Sequence, residues 1–239
     1  MKNLFFVLSL GYFFTGCAPS FSDYQGADVV GKGNIGLNLY TSKTSVDIND
    51  EADDSSGEES TLESSGKLQD SNGIRFSYGL SDKMDAQFEY EIISAGLIKG
   101  NITTFGIKYN FYKSDKLRIS TCLPISFGKQ EMESMSLLDT STDAVSQDGK
   151  IFEPTILFSY NLFKNFDFNM STKFLKAIDK PEEMETDDAY ALNFGGSLSL
   201  DKLLKIEGYN ISILYEYGLL DFDGQTYNQS GLGLSIKNN

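Results

Sequence analysis

The 239-residue chain has no histidine, no tryptophan, two cysteines and four prolines. Without histidine it lacks Ser-His and Cys-His nucleophile pairs, an imidazole base and any histidine-ligated metal. Cys17 and Cys122 are the two thiols, and no histidine or second cysteine lies near Cys122 in the sequence to activate it or share a metal. A basic surface is also missing. Twenty Lys and Arg stand against 34 Asp and Glu, a formal net charge of −14, which argues against nucleic-acid binding. After the first sixteen residues no apolar stretch of about 20 occurs, so a helical membrane span is excluded.

The N-terminus reads MKNLFFVLSLGYFFTGC. One cation, Lys2, precedes an apolar run from Leu4 to Phe14, too short for a spanning helix and suited to a signal peptide over residues 1–16. Phe14-Thr15-Gly16-Cys17 resembles the bacterial lipoprotein cleavage box, which implies that Cys17 is the lipid attachment residue and that no internal disulfide forms. Phe14 departs from the usual leucine, and ordinary export with cleavage nearby is the alternative. Ala18 follows the cysteine, so the aspartate linked with inner-membrane retention is absent. Residues 17–32 then read as a lipidated N-terminus and periplasmic linker.

What is abundant is acid, unevenly spread. Segment 43–69 holds eight acids against two lysines, 129–149 five against one, and 178–188 six against one. These polar stretches read as loops. Between them the apolar residues recur with period two, which marks β-strands. In 117–127, Leu117, Ile119, Leu123, Ile125 and Phe127 share one face, while Arg118, Ser120, Cys122 and Ser126 share the other. Segments 84–92 and 103–111 behave alike, and the pattern returns at 33–41, 73–80, 152–162, 166–175, 190–200, 211–219 and 227–236. Ten strands follow, most of the length a tilted strand needs to cross a hydrocarbon layer.

Short connections at 81–83, 113–116 and 163–165, and a longer one at 201–208, fall at one end. The three acidic segments, with shorter links at 95–101 and 221–225, fall at the other. An even strand count with short turns opposite long polar loops predicts an all-β, antiparallel up-and-down transmembrane β-barrel of about ten strands over residues 33–237. The rival is a soluble periplasmic barrel with its apolar face inward, a lipoprotein binding lipid or another apolar ligand. Side-chain volume argues against it: the crowded Leu, Ile, Phe and Tyr belong outside, and the Gly, Ser, Asn and Thr of the other face fit a narrow lumen. Lumen charges such as Arg75, Glu89, Lys108, Arg118, Lys173 and Glu216 can pair across it. Phe111, Tyr112, Tyr160, Phe163, Phe166, Tyr209 and Tyr227 gather near strand ends, as interfacial girdles do.

From about Gly33 to Lys237 the chain resembles small bacterial outer-membrane β-barrel proteins, often uncharacterised lipoproteins. Gln229-Ser230-Gly231-Leu232-Gly233-Leu234-Ser235-Ile236 resembles the C-terminal signal read by the barrel-assembly machinery, although Lys-Asn-Asn follows where a terminal phenylalanine is common. The resemblance implies an outer-membrane location, with membrane lipid, lipopolysaccharide and that machinery as partners. It names no activity.

Two motifs tempt other readings. Gly31, Gly33 and Gly36 form a literal GxGxxG, but Leu37-Asn38-Leu39-Tyr40-Thr41 alternates as a strand, where a dinucleotide loop requires a helix to open. Asp47, Asn49, Glu51 and Glu58 match positions 1, 3, 5 and 12 of a calcium loop, yet Ala52 stands where the turn requires glycine. Weak divalent cation binding across the acidic loops, bridging them to lipopolysaccharide phosphates, is the form of that idea retained. No cofactor and no enzyme activity are expected. The role expected is structural or surface-interacting, with a narrow cation-preferring channel as the alternative.

Overall fold

The computed structural model describes residues 23–49, 63–95, 98–132, 145–179, 188–204, 206–222 and 225–238. The strands are β1 (Ile35–Asn49), β2 (Glu63–Ser81), β3 (Met84–Ala95), β4 (Ile98–Lys113), β5 (Leu117–Met132), β6 (Val145–Phe152), β7 (Thr155–Phe163), β8 (Phe166–Asp179), β9 (Ala189–Ser199), β10 (Tyr209–Phe222) and β11 (Gln225–Asn238). A single helical turn, α1 (Leu200–Leu204), lies in the β9–β10 connection.

All pairings are antiparallel between wall neighbours, and β1 closes on β11 with Leu37 opposite Ile236 and Thr41 opposite Leu232. The eleven segments make ten wall strands. The upper half of β5 pairs with β6 and its lower half with β7, and β8 spans both in turn. Prolines explain the break. Pro124 and Pro154 meet there without N–H groups, so the wall is carried across by Glu153 N–H donating to Pro124 O at 3.1 Å and Phe174 N–H donating to Pro154 O at 3.0 Å. The expected meander is therefore present, closed and free of sheet edges.

The expected faces are also present. Phe76, Phe88, Ile92, Phe105, Ile107, Leu123, Ile125, Phe127, Ile156, Ile213 and Leu232 point outward. Across β2 to β5, Phe76, Phe88, Phe105 and Phe127 form an outer aromatic row with centroid spacings of 6.5, 5.3 and 6.3 Å. The buried residues are mostly polar: Asn38, Ser42, Ser71, Arg75, Asp85, Glu91, Lys108, Ser120, Ser171, Lys173, Asn193 and Glu216 face the lumen. A chamber lined for an apolar ligand, as the soluble alternative requires, is not what these residues build.

Three expectations need correction. Strands reach far into the acidic segments: β1 runs to Asn49, β2 starts at Glu63, β5 ends at Met132 and β6 starts at Val145. Polar residues on both faces leave no period-two signal, yet cross-strand hydrogen bonding continues through them. Tyr227 is buried rather than interfacial, in an apolar cluster with Leu175, Ala189 and Ala191. Most consequentially, the described part of the expected 17–32 linker, residues 23–32, is not external. They run inside the barrel.

Candidate functional site: a lumen filled by the N-terminal segment

Gly31 and Gly33, with φ of 87° and 77°, turn the chain from the start of β1 back into the lumen. Only glycine adopts such angles without strain. Gly33 N–H donates to Gly79 O at 2.8 Å, fixing this bend beside the β2–β3 turn. A Cβ on Gly79 would lie 1.7 Å from Gly31 O, so that contact demands a bare backbone. Gly36 faces inward against Val30. The glycine fingerprint is thus a bend and a strand start, as its alternation indicated.

From the bend, successive residues are held by lumen side chains progressively farther from the turns. Val30 N–H donates to both Asp85 oxygens at 3.2 and 3.0 Å. Asp28 pairs with Arg118 at 2.9 Å, and Arg118 bridges on to Asp167 at 2.9 Å. Lys108 donates to Gly26 O at 2.6 Å, Asp28 O at 2.7 Å and Gln25 Oε1 at 3.3 Å. Ala27 N–H donates to Ser159 Oγ at 2.7 Å, and its carbonyl accepts from Asn110 at 3.2 Å and from Ser120. Gln87 donates to Gln25 at 3.0 Å.

Tyr24 and Asp23 form the deepest part. Tyr24 stacks on Tyr40 with centroids 4.8 Å apart and ring planes 16° apart, and Leu214 completes that cluster. Tyr24 adopts φ of 39°, a left-handed conformation costing roughly 1–2 kcal/mol for a residue with a Cβ. The stack and three backbone hydrogen bonds offset that cost: Glu216 accepts the N–H groups of Asp23 at 2.5 Å and Tyr24 at 3.0 Å, and Asn38 donates to Tyr24 O at 3.2 Å. The Asp23 carboxylate meets Lys173 at 3.3 Å, Asn193 at 3.2 Å and the Ser171 hydroxyl. Its carbonyl accepts from Arg75, which also clamps Glu89 at 2.7 and 2.6 Å. Lys173 reaches Glu153 at 3.3 Å as well.

The physical logic is that of a dry polar interior. An unpaired backbone group buried without water costs about 1–3 kcal/mol, and the segment from Asp23 to Val30 has no neighbouring strand. Wall side chains replace that strand. Little space remains. Around Asp23, Arg75, Glu89, Glu153 and Lys173 the cavity is small, about 30 Å³. Toward the turns a polar cavity of about 360 Å³ lies beside the segment, lined by Asn38, Ser77, Lys113, Asn169, Ser212 and Lys237 among others.

Arg75, Glu89, Lys108, Arg118, Lys173 and Glu216 all face this lumen. The expected pairing across the lumen is not what these six make: Arg75 takes Glu89, its direct partner on the neighbouring strand, and Arg75, Lys108, Arg118, Lys173 and Glu216 each hold the N-terminal segment. Asp23, Tyr24, Gln25 and Asp28 carry no signal in the sequence, because a segment bound by scattered side chains has no periodicity. Cys17, the acidic stretch 50–62 and most of the calcium-like pattern lie outside the described residues. Cys122 is buried on the lumen face of the wall, packed with Leu157 and with Ala27 of the segment.

These features define a class: a closed antiparallel ten-strand barrel with an apolar exterior and a polar lumen occupied by its own N-terminal segment. No protein-family model and no curated protein sequence matches the chain. Among solved structures, the N-terminal β-barrel domain of Pseudomonas aeruginosa OprF is similar at 12% identity and TM-score 0.41, covering 87% of this chain and 98% of that one. The translocator domain of autotransporter NalP from Neisseria meningitidis gives 6% identity and TM-score 0.45, covering 86% and 88%. The outer membrane protease OmpT from Escherichia coli gives 8% identity and TM-score 0.40, covering 86% and 96%. The barrel architecture rests on the chain's own strand pairing.

Proposed function

We propose that the protein is an outer-membrane β-barrel whose lumen is closed by its own N-terminal segment and whose role is structural or surface-interacting, with the acidic segments turned outward. The observation that carries this reading is the seating of Asp23–Val30. Lumen side chains accept from the N–H groups of Asp23, Tyr24, Ala27 and Val30 and donate to the carbonyls of Asp23, Tyr24, Gly26, Ala27 and Asp28, and the space left beside Asp23 is about 30 Å³. The seated segment and the side chains that hold it stand in the path an ion would take. The narrow cation-preferring channel is the less favoured reading, since it requires the segment to leave.

The outer apolar band supports a membrane setting. Residues such as Phe105, Ile156 and Leu232 stand outward from every part of the wall, and a contiguous apolar girdle of that extent needs lipid to cover it. Lipid attachment at Cys17, recognition of Gln229–Ile236 by the assembly machinery, and weak divalent bridging of acidic segments to lipopolysaccharide belong to the same reading. Enzyme activity is not part of it. The chain has no histidine, and the lumen carboxylates Asp23, Asp28, Asp85 and Glu216 are committed to holding the segment.

Two measurements test it. An epitope inserted at residues 55–58 should be cleaved by protease on intact cells; cleavage only after outer-membrane permeabilisation would reject the orientation. Purified protein in planar bilayers should be electrically silent. Steady conductance from the unaltered chain would favour the channel.

A further inference from the structure

The seated segment leaves a chamber between itself and the turn end of the barrel. That cavity measures about 360 Å³, within the roughly 300–1,000 Å³ of small-molecule sites. Gln25, Gly26, Asp28, Val29 and Val30 of the segment form one wall. Lys113, at the end of β4, and Asn210, at the start of β10, line it and are exposed, so its mouth opens at the turns. Ser77, Ser199, Ser212, Ser235 and Asn210 offer hydroxyl and amide groups, and no aromatic ring lines it among the described residues.

The charges in this chamber differ in what they already hold. Among the described residues Lys108, Lys113, Arg118 and Lys237 line it, against Asp28, Asp85 and Asp167. The acids are engaged. Arg118 takes Asp28 and Asp167, and both oxygens of Asp85 accept from Val30 N–H. Lys108 donates to the carbonyls of Gly26 and Asp28. Lys113 and Lys237 make no hydrogen bond or salt bridge among the described residues, although Lys237 is near enough to Asp85 to feel its charge. The lining is positive by one charge, and its two uncommitted charges are both cations.

Lys113 reaches the lumen through an irregularity in β4. The β4–β5 register shifts between Asn110 and Tyr112, so Phe111 has no partner and Lys113 falls opposite the inward Arg118. Unbroken alternation from Lys108 and Asn110 would turn Tyr112 inward and Lys113 toward lipid. Bulges are frequent at barrel rims and beside active sites, where they re-aim a side chain. Lys237 enters from β11, level with Gly36 and Asn210. The acidic segments lie at the other end of the strands, well beyond the roughly 8 Å over which salt lets charges interact.

We infer that this chamber is a binding site for a small polyhydroxylated anion, a sugar acid or a sugar phosphate. Its charged group lies between Lys113 and Lys237, and its hydroxyls meet the serine and asparagine side chains. A neutral sugar leaves both lysines unanswered, and a nucleotide base finds no ring to stack on. The inference rests on the closed-lumen reading above, since the seated segment is one wall of the site.

The test is calorimetric titration of the full chain in detergent micelles with gluconate, glucose 6-phosphate, glucose and inorganic phosphate, beside bilayer recordings of the same preparation. Saturable binding of gluconate or glucose 6-phosphate is expected, with glucose and inorganic phosphate at least about tenfold weaker. Lys113→Gln and Lys237→Gln should each weaken the sugar anion by about tenfold or more. Ser212→Leu, which narrows the chamber and leaves every charge in place, should weaken it as well. Lys116→Gln, in the adjoining turn and outside the lining, should change nothing. Failure of both sugar anions to bind overturns the inference. So does glucose or inorganic phosphate binding as tightly, or a loss in Lys116→Gln equal to that in Lys113→Gln. If the bilayer stays silent in those cases, the closed lumen still stands; steady conductance overturns the closed lumen and this site with it.

Discussion

Asp23 and Lys173 lie 3.3 Å apart, charge to charge, at the deepest point of the lumen, joining an N-terminal residue to a strand 150 positions later. Both side chains are almost wholly buried, so neither charge is freely hydrated. Breaking a buried pair from one side leaves the other charge uncompensated, which costs about 3–5 kcal/mol. Lys173→Met removes the cation facing both Asp23 and Glu153, and it should lower the urea midpoint of the folded, heat-modifiable form in vesicles accordingly. Asp23→Asn keeps hydrogen-bond capacity toward Ser171 and leaves Lys173 its contact with Glu153, so it should cost clearly less. Equal losses would show that the pair does not act as described.

Glu216 accepts from two successive backbone N–H groups, one per carboxylate oxygen. In Glu216→Gln one oxygen becomes an NH₂ facing an N–H, and a charge-assisted hydrogen bond worth roughly 1.5–3 kcal/mol is lost. The barrel wall does not use this group, so folding should persist while the segment loosens. Brief openings in single-channel recordings are the expected signature. Uninterrupted silence would mean the other contacts suffice.

Deleting residues 23–30 removes no wall pairing, since every strand begins at Ile35 or later. The deleted protein should remain a heat-modifiable barrel and conduct steadily. Removing Asp23 and Asp28 leaves Asp85, Glu89, Glu91, Glu153, Asp167 and Glu216 against Arg75, Lys108, Lys113, Arg118, Lys173 and Lys237 on the described lumen face, so the signs balance and weak ion selectivity is expected. A folded but silent deletion would refute the segment as the closure.

Phe105 sits outward in the aromatic row between Phe88 and Phe127. If lipid covers that row, Phe105→Arg should destabilise the barrel by about 2–4 kcal/mol in bilayers, as expected for a cation near the midplane. Asp115→Arg, in the β4–β5 turn, should be near neutral. The readout is the difference in urea midpoint between the two variants. No difference would argue that the row faces water.

Much of the wall was legible residue by residue. In 117–127 the alternation separated outward Leu123, Ile125 and Phe127 from inward Ser120, Cys122 and Ser126 without error, because a strand's period is two and one face meets only apolar surroundings. The same rule fails at Val145–Gly149 and Glu63–Gln69, where both faces are polar. It misled at Tyr227, whose position near a strand end suggested an interface although its parity points inward. The candidate site was legible only by half. Lys108, Arg118, Lys173 and Glu216 were identifiable as lumen charges, but their partners were not.

Strand number, facing, the placement of turns and the exclusion of histidine chemistry followed from the sequence alone, since local backbone geometry and burial preference act on near neighbours. Closure of β1 on β11, the break at Glu153–Pro154 and the occupation of the lumen by Asp23–Val30 were decided by tertiary structure. Each depends on groups brought together from positions far apart in the chain, as when Glu216 meets Asp23 and Tyr24 across 193 and 192 residues. A buried backbone must find hydrogen-bond partners wherever the fold supplies them.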